Sequence, residues 1–322
     1  MELAPGIHRI VAPLGERFNA LYLLLGDRAG LLVDTGLAPD PRGTLLPYLD
    51  RAGIAPERIR YVLNTHSDFD HTGGNRSVRE AFPAAVMMCG ELDRPMIEDL
   101  EAMIGRRYGE FAADHGLDDA ESTKAFIREQ AGSVPMDVGL VGGERIRLAD
   151  DWVVEIVHTP GHSWGSVSVW DPRHRALMIG DAVLWNAVLL TDGGPAFPPT
   201  YRYLPTYLAT IGRLEAMDIE WLLTSHYPVR RGPEVAEFLA ESRAFTERVD
   251  AALAAELVAG PRTLGELTVA LGPRLGGWPD AASQYLCYPL LGHLERMVEF
   301  GRALKGRRGA VAEYALTGGP GA

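Results

Sequence analysis

Residues 62–75 read VLNTHSDFDHTGGN, and within six positions they bring together His66, Asp68, Asp70 and His71. Two imidazoles and two carboxylates that close compete for the same space. Burying them is costly unless a cation joins them. Residues 59–63, apolar apart from Arg60 and Tyr61, lead in as a short buried strand, and Gly73-Gly74 opens a helix. On such a strand-to-helix turn, His66 and Asp68 point one way while Asp70 and His71 swing round the bend to a neighbouring position. That layout suits two metal ions sharing one site better than it suits one. The stretch alone leaves open a polar loop of hydrogen-bonded histidines and helix-capping aspartates.

The elements that must position further ligands follow the same rule. Thr159-Pro160-Gly161-His162-Ser163 comes after a predicted strand at 153–157, Gly180-Asp181-Ala182 after one at 176–179, and Thr224-Ser225-His226-Tyr227 after one at 219–223. Each ligand type sits just past the C-terminal end of its strand, so all share one rim of a sheet. Together with Asp34-Thr35-Gly36, this ordered series resembles the metallo-β-lactamase superfamily, in the branch that includes glyoxalase II-type hydrolases, over roughly residues 7–230. The resemblance implies an α/β (α+β) chain folded as an αββα sandwich, with hydrolase activity. Residue by residue it implies that His66, Asp68 and His162 hold one ion and that Asp70, His71 and His226 hold a second. Asp181 would bridge them, and Asp70 would also be catalytic. Asp34 and Thr65 would orient the metal loop from behind without touching an ion. No residue is assigned to substrate.

The family motif is HxHxDH, and this chain has HxDxDH, with Asp68 in place of the second histidine. A bridging hydroxide between two divalent ions would attack an ester, thioester, lactone or phosphodiester. The ligand set does not choose among these bonds. Zinc is the expected ion, but the hard oxygen of Asp68 moves preference toward iron or manganese. An iron-dependent oxidoreductase on the same fold is therefore the alternative. A third reading is a non-catalytic metal-binding protein whose C-terminal part pairs subunits or contacts nucleic acid.

Composition bounds the rest. The chain has 322 residues and a net charge of −12, which disfavours a broad phosphate-binding surface. Two isolated cysteines, Cys89 and Cys287, make no disulfide framework. With no signal-like N-terminus, a cytoplasmic protein without a membrane span is expected. Three short strands are predicted at 7–13, 20–26 and 30–33, and helices at 39–52 and 75–82. The metallo-β-lactamase domain should span 1–230, with a helical insertion at 91–135 that either caps the site or forms an outer layer. The loop 192–203 is placed to wall a pocket with Trp164 and Trp185. A connecting helix at 231–259 leads past Gly260-Pro261 to a winged-helix-like unit at 260–322, expected to be separable by cleavage there. That unit carries a small basic cluster, Lys305, Arg307 and Arg308. A small-molecule substrate and a homodimer are the expected partners.

Overall fold

The computed structural model describes residues 1–318, so the last four positions of the expected C-terminal unit lie outside it. Its layers follow from strands that are apolar on both faces. In Arg17–Leu25, Ala20, Tyr22 and Leu24 pack to one side while Leu21 and Leu23 pack to the other, all buried. A strand patterned this way must be covered twice.

In chain order the strands are β1 Glu2–Ala4, β2 Ile7–Leu14, β3 Arg17–Leu25, β4 Gly30–Val33, β5 Ile59–Asn64, β6 Val86–Gly90 and β7 Val138–Leu140. They lie side by side in that order as one sheet, antiparallel up to β4 and parallel from β4 to β7. Next come β8 Arg145–Ala149, β9 Trp152–His158, β10 Val167–Asp171, β11 Ala176–Gly180, a small pair β12 Val188–Leu189 and β13 Pro195–Phe197, then β14 Trp221–Thr224 and β15 Arg230–Arg231. The second sheet has the order β15-β14-β11-β10-β9-β8, with β11 and β14 parallel. Leu31, Val33 and Leu63 of the first sheet meet Ile156, Val169 and Met178 of the second, forming the central core. Outside the first sheet, Leu49 of helix Leu46–Arg51 and Val78 of helix Asn75–Ala81 bury against Leu21, Leu23 and Leu32. Outside the second, helices Leu204–Glu215 and Pro233–Val258 do the same. The chain thus has the mixed α/β sandwich that the resemblance implied. The helix expected at 39–52 is split, with Pro41–Leu45 wound as a π-helix.

Between β6 and β7 the insertion is a string of short helical pieces: Arg94–Glu98, Leu100–Met103, Ile104–Tyr108, Ala112–His115 and Glu121–Gln130. Asp99 stops the first and starts the second by accepting hydrogen bonds from the Glu101 and Ala102 N–H groups.

The C-terminal segment begins with β16 Arg262–Thr263 and helix Leu264–Leu275, opened by a capping box between Thr263 and Glu266. Next, Asp280–Leu286 is a 3-10 turn and Cys287–Glu299 an α-helix. The hairpin β17 Ala303–Arg308 and β18 Val311–Leu316 follows, with β16 added to its edge. The segment packs closely on the sandwich. Leu264, Leu294 and Tyr314 share one buried cluster with Tyr207, Phe238 and Leu253. Arg202 forms ion pairs with Glu110 at 2.7 Å and Glu295 at 2.6 Å, tying insertion, sandwich and C-terminal helix together. The basic cluster is already paired: Lys305 and Arg307 with Asp114, and Arg308 with Glu266 and Glu313. Cys89 and Cys287 are both buried and unpaired. Among the described residues no helix is long and apolar enough to cross a membrane.

Candidate metal centre

The C-terminal ends of β4, β5, β9, β11 and β14 meet on one rim, and the ligand-type residues leave from there. Asp34 follows β4 in a left-handed conformation, with φ 61°. Such a backbone strains most residues but is among the more accessible to aspartate. Its carboxylate explains the strain. Oδ1 accepts from the Thr65 N–H at 2.7 Å, while Oδ2 accepts from the Thr65 hydroxyl at 2.9 Å and faces His71 Nδ1 at 2.9 Å. The Thr65 hydroxyl uses its one O–H in the bond it donates to Asp34, so it accepts from His66 Nδ1 at 3.0 Å. One buried carboxylate therefore puts the proton of both His66 and His71 on Nδ1 and leaves each Nε2 lone pair facing the centre. His162 and His226 are set the same way by carbonyl oxygens, of Thr200 at 3.1 Å and Phe18 at 3.0 Å. Gly180 is needed behind them: it has φ 51°, and a Cβ there would strike the Thr65 hydroxyl.

All seven ligand-type residues expected from sequence come together, buried, in three overlapping groups: His66, Asp68 and His162; Asp70, His71 and His226; His66, His71 and Asp181. On the Asp70 side, His226 Nε2 lies 3.4 Å from Asp70 Oδ2 and 3.3 Å from Asp181 Oδ2, and His71 Nε2 lies 3.8 Å and 3.7 Å from the same atoms. Bonds of about 2.0–2.2 Å to a zinc ion put tetrahedral ligand atoms about 3.3–3.6 Å apart, close to these four nitrogen-to-oxygen separations. His71 Nε2 and Asp181 Oδ1 are buried with no hydrogen-bond partner, a state that a metal ion relieves; His66 Nε2, on the other side, is also buried without one. The electrostatics agree. Burial pushes the Asp181 carboxyl up, but His226 and His71 beside it outweigh that and hold it well below the usual range. Burial pulls His71 down, and Asp70, Asp34 and Asp181 together raise it well above an ordinary imidazole. The pocket draws positive charge.

The Asp68 side is different. Asp68 Oδ2 is 3.1 Å from His162 Nε2 and 3.9 Å from His66 Nε2. Arg107, from the helical insertion, donates through Nε to Asp68 Oδ1 at 2.8 Å and through Nη2 to Oδ2 at 3.0 Å. Nη2 also lies 3.2 Å from His162 Nε2. Burial raises the Asp68 carboxyl, and Arg107 then His162 more than reverse it, holding it well below its usual range.

Arg107 was missed from sequence. The signal for it was Asp68 itself, an extra negative charge in want of a partner, but nothing local pointed 39 positions ahead. Asp93 was missed too: it accepts from the Ser67 N–H at 3.2 Å, the Ser163 hydroxyl at 2.5 Å and the Gly165 N–H at 2.8 Å, clamping the His66 and His162 loops together. Asn19 holds the turn from below by donating to the Asp70 carbonyl.

Above the centre lies a cavity of about 240 Å³ walled by Phe69, Arg107, Tyr108, Phe126, Phe197 and Tyr288, with Asp70, Asp181 and His226 on its floor. The insertion thus contributes a wall of the site. From the loop at 192–203, Phe197 and Thr200 reach this cavity. Trp164 instead stacks on Tyr203, and Trp185 packs at the edge of the large core cluster. A second cavity of about 470 Å³ shares Tyr108, Asp119, Tyr285 and Tyr288 with the first and opens against the C-terminal helices.

Comparison with known proteins agrees with this geometry. The family described as the metallo-beta-lactamase superfamily matches residues 14–226. The chain is 27% identical over 234 residues to the acyl-coenzyme A thioesterase MBLAC2 of Homo sapiens, covering 66% of this chain and 74% of that one. It is 26% identical over 178 residues to a hydroxyacylglutathione hydrolase of Rhodospirillum rubrum, covering 55% of this chain and 51% of the relative. Among solved structures, a metallo-beta-lactamase family protein of Thermus thermophilus superposes with a TM-score of 0.78 at 24% identity, covering 98% of this chain and all of that one. A beta-lactamase domain protein of Burkholderia ambifaria gives 0.78 at 20% identity, covering 98% and 94%. The likeness in fold therefore runs through the C-terminal segment as well.

Proposed function

The chain belongs to the metallo-beta-lactamase superfamily, and from that footing we propose that it is a metal-dependent hydrolase that opens the thioester or ester bond of an acylated small molecule. One observation carries this: the donor atoms of Asp70, His71 and His226 converge within 4.8 Å of one another, with Asp181 beside the two histidines, at the floor of a cavity with aromatic walls. A divalent ion held there would be zinc by its two imidazoles and two carboxylates, and would supply a water acidified toward neutrality and a positive charge for the developing oxyanion.

The chain's own residues do the rest. Asp34 and Thr65 hold the donor atoms of His66 and His71 in place before any ion arrives. Asp70, fixed through its carbonyl by Asn19, is the carboxylate placed to receive the proton of the attacking water. Phe69, Tyr108, Phe126 and Tyr288 keep bulk solvent from the reacting bond, which strengthens every charge interaction in the site. The choice of acyl chemistry is supported by the two kinds of relative above, whose names describe an acyl group carried on coenzyme A and on glutathione.

The test is turnover of thioesters, esters, lactones and phosphodiesters by protein stripped of metal and then reloaded with zinc. Thioesters or simple esters should be cleaved by the reloaded protein alone. Reloaded protein that is inert to both while cleaving a phosphodiester would sink the assignment.

A further inference from the structure

We propose that Arg107 takes the place of the first metal ion, so that the centre holds one ion, in the Asp70 half, and a guanidinium in the other. This rests on the metal-dependent reading above and goes one step past it.

The guanidinium competes directly for the donors an ion would need. The proton of His162 is on Nδ1, because the Thr200 carbonyl it faces can only accept. The lone pair on Nε2 is therefore the one that meets Arg107 Nη2 at 3.2 Å. Asp68 Oδ2 sits 3.1 Å from that nitrogen. Two acceptors that close need a positive group between them, and Nη2 serves both. Asp68 spends its other oxygen on Nε. His66 Nε2 is then the one donor of this half without a partner. Even with a share of Asp181 it falls short of the three protein ligands that a catalytic zinc keeps.

Arg107 is also built in rather than resting there. It is 6% exposed. Its guanidinium lies 4.3 Å over the Tyr288 ring, and its main-chain carbonyl accepts from the Tyr288 hydroxyl at 2.8 Å. The C-terminal helix thereby fixes both ends of the residue. The same contact accounts for the departure from the family motif. Histidine at 68 would offer the guanidinium a single neutral acceptor, whereas a carboxylate matches the two parallel N–H groups of its fork. Asp68 and Arg107 are one unit, and the oxygens that argued for iron or manganese are already taken. Nη1 is left over by these contacts, on a residue that lines the substrate cavity. It supplies a fixed positive charge for a carbonyl oxygen where an ion would otherwise stand.

The experiment counts metal. Metal-free protein is titrated with cobalt(II), read by its visible absorption, and zinc content is measured by mass spectrometry after dialysis against micromolar zinc. Wild type should end at one equivalent per chain. The double variant Asp68→His/Arg107→Met, which keeps an apolar stem against Tyr288, should end at two. Wild type that takes up two equivalents overturns the proposal and leaves the hydrolase reading standing. A double variant that keeps its circular dichroism spectrum yet stays at one equivalent also overturns it, because something other than Arg107 would then exclude the ion. Wild type that binds none sinks both. If the double variant does not fold, the wild-type end point alone decides between one and two.

Discussion

The two halves of the centre draw on the same residue types. On one side the His71 and His226 nitrogens lie 3.3–3.8 Å from the Asp70 and Asp181 oxygens, and no Lys or Arg among the described residues pairs with them. On the other, His66, Asp68 and His162 converge as closely, but a buried arginine fills the space between two of them. Counting ligand-type residues therefore does not count ions. What decides is whether anything else in the fold reaches the lone pairs first. The Asp70 half is braced by sheet ends and the Asn19 clamp and receives no cation from the chain, whereas into the Asp68 half the helical insertion delivers its own charge.

The largest effects should fall on one half only. His226→Ala or Asp181→Ala should lose the bound ion and turnover, by far more than the roughly 100-fold that marks loss of an outer partner of a metal ligand. His162→Ala should keep close to one equivalent. Metal analysis of the purified variants checks this, and equal loss from both halves would erase the contrast.

Next in size is a stability effect confined to the Asp68 half. Asp68→Ala strands the Arg107 guanidinium in a buried site, which costs about 3–5 kcal/mol. Adding Arg107→Met should recover most of that in urea unfolding of the metal-free protein. If the two losses simply add, the residues are not a pair.

Asp34→Asn probes the support shared by both halves. Asparagine tolerates the left-handed backbone at position 34, so the change acts on the hydrogen bonds to His71 and, through Thr65, to His66. Affinity for zinc in a competition assay with a chromophoric chelator should fall about 10–100-fold with the stoichiometry unchanged.

The smallest effect is expected for Tyr288→Phe. The ring stays beneath the guanidinium while the hydroxyl bond to the Arg107 carbonyl is lost, at a cost of about 0.5–1.5 kcal/mol in unfolding free energy. Metal content should not move. A second equivalent appearing in this variant would mean that the hydroxyl bond, more than the Asp68 pair, keeps Arg107 in place.

The amino-acid sequence by itself determined what depends on neighbours along the chain. The turn from β5 carries His66 to His71 between a strand end and a short helix, which the apolar lead-in and the following Gly73-Gly74 announce. The apolar runs of β3, β4, β9 and β11 demand cover on both faces, and Thr263 with Glu266 starts a helix by its own hydrogen bonds. Those are matters of backbone periodicity and local polar satisfaction, legible in a few residues. Tertiary structure alone decided that Arg107 meets Asp68, that Asp93 joins the His66 and His162 loops, and that the C-terminal helices pack on the sandwich. The apolar face of helix Cys287–Glu299 shows that it must be covered, but not by what. The partner is chosen by the packing of Tyr288 and Leu294 against elements far away in the chain. The same packing fixes the one charge that no local pattern announced.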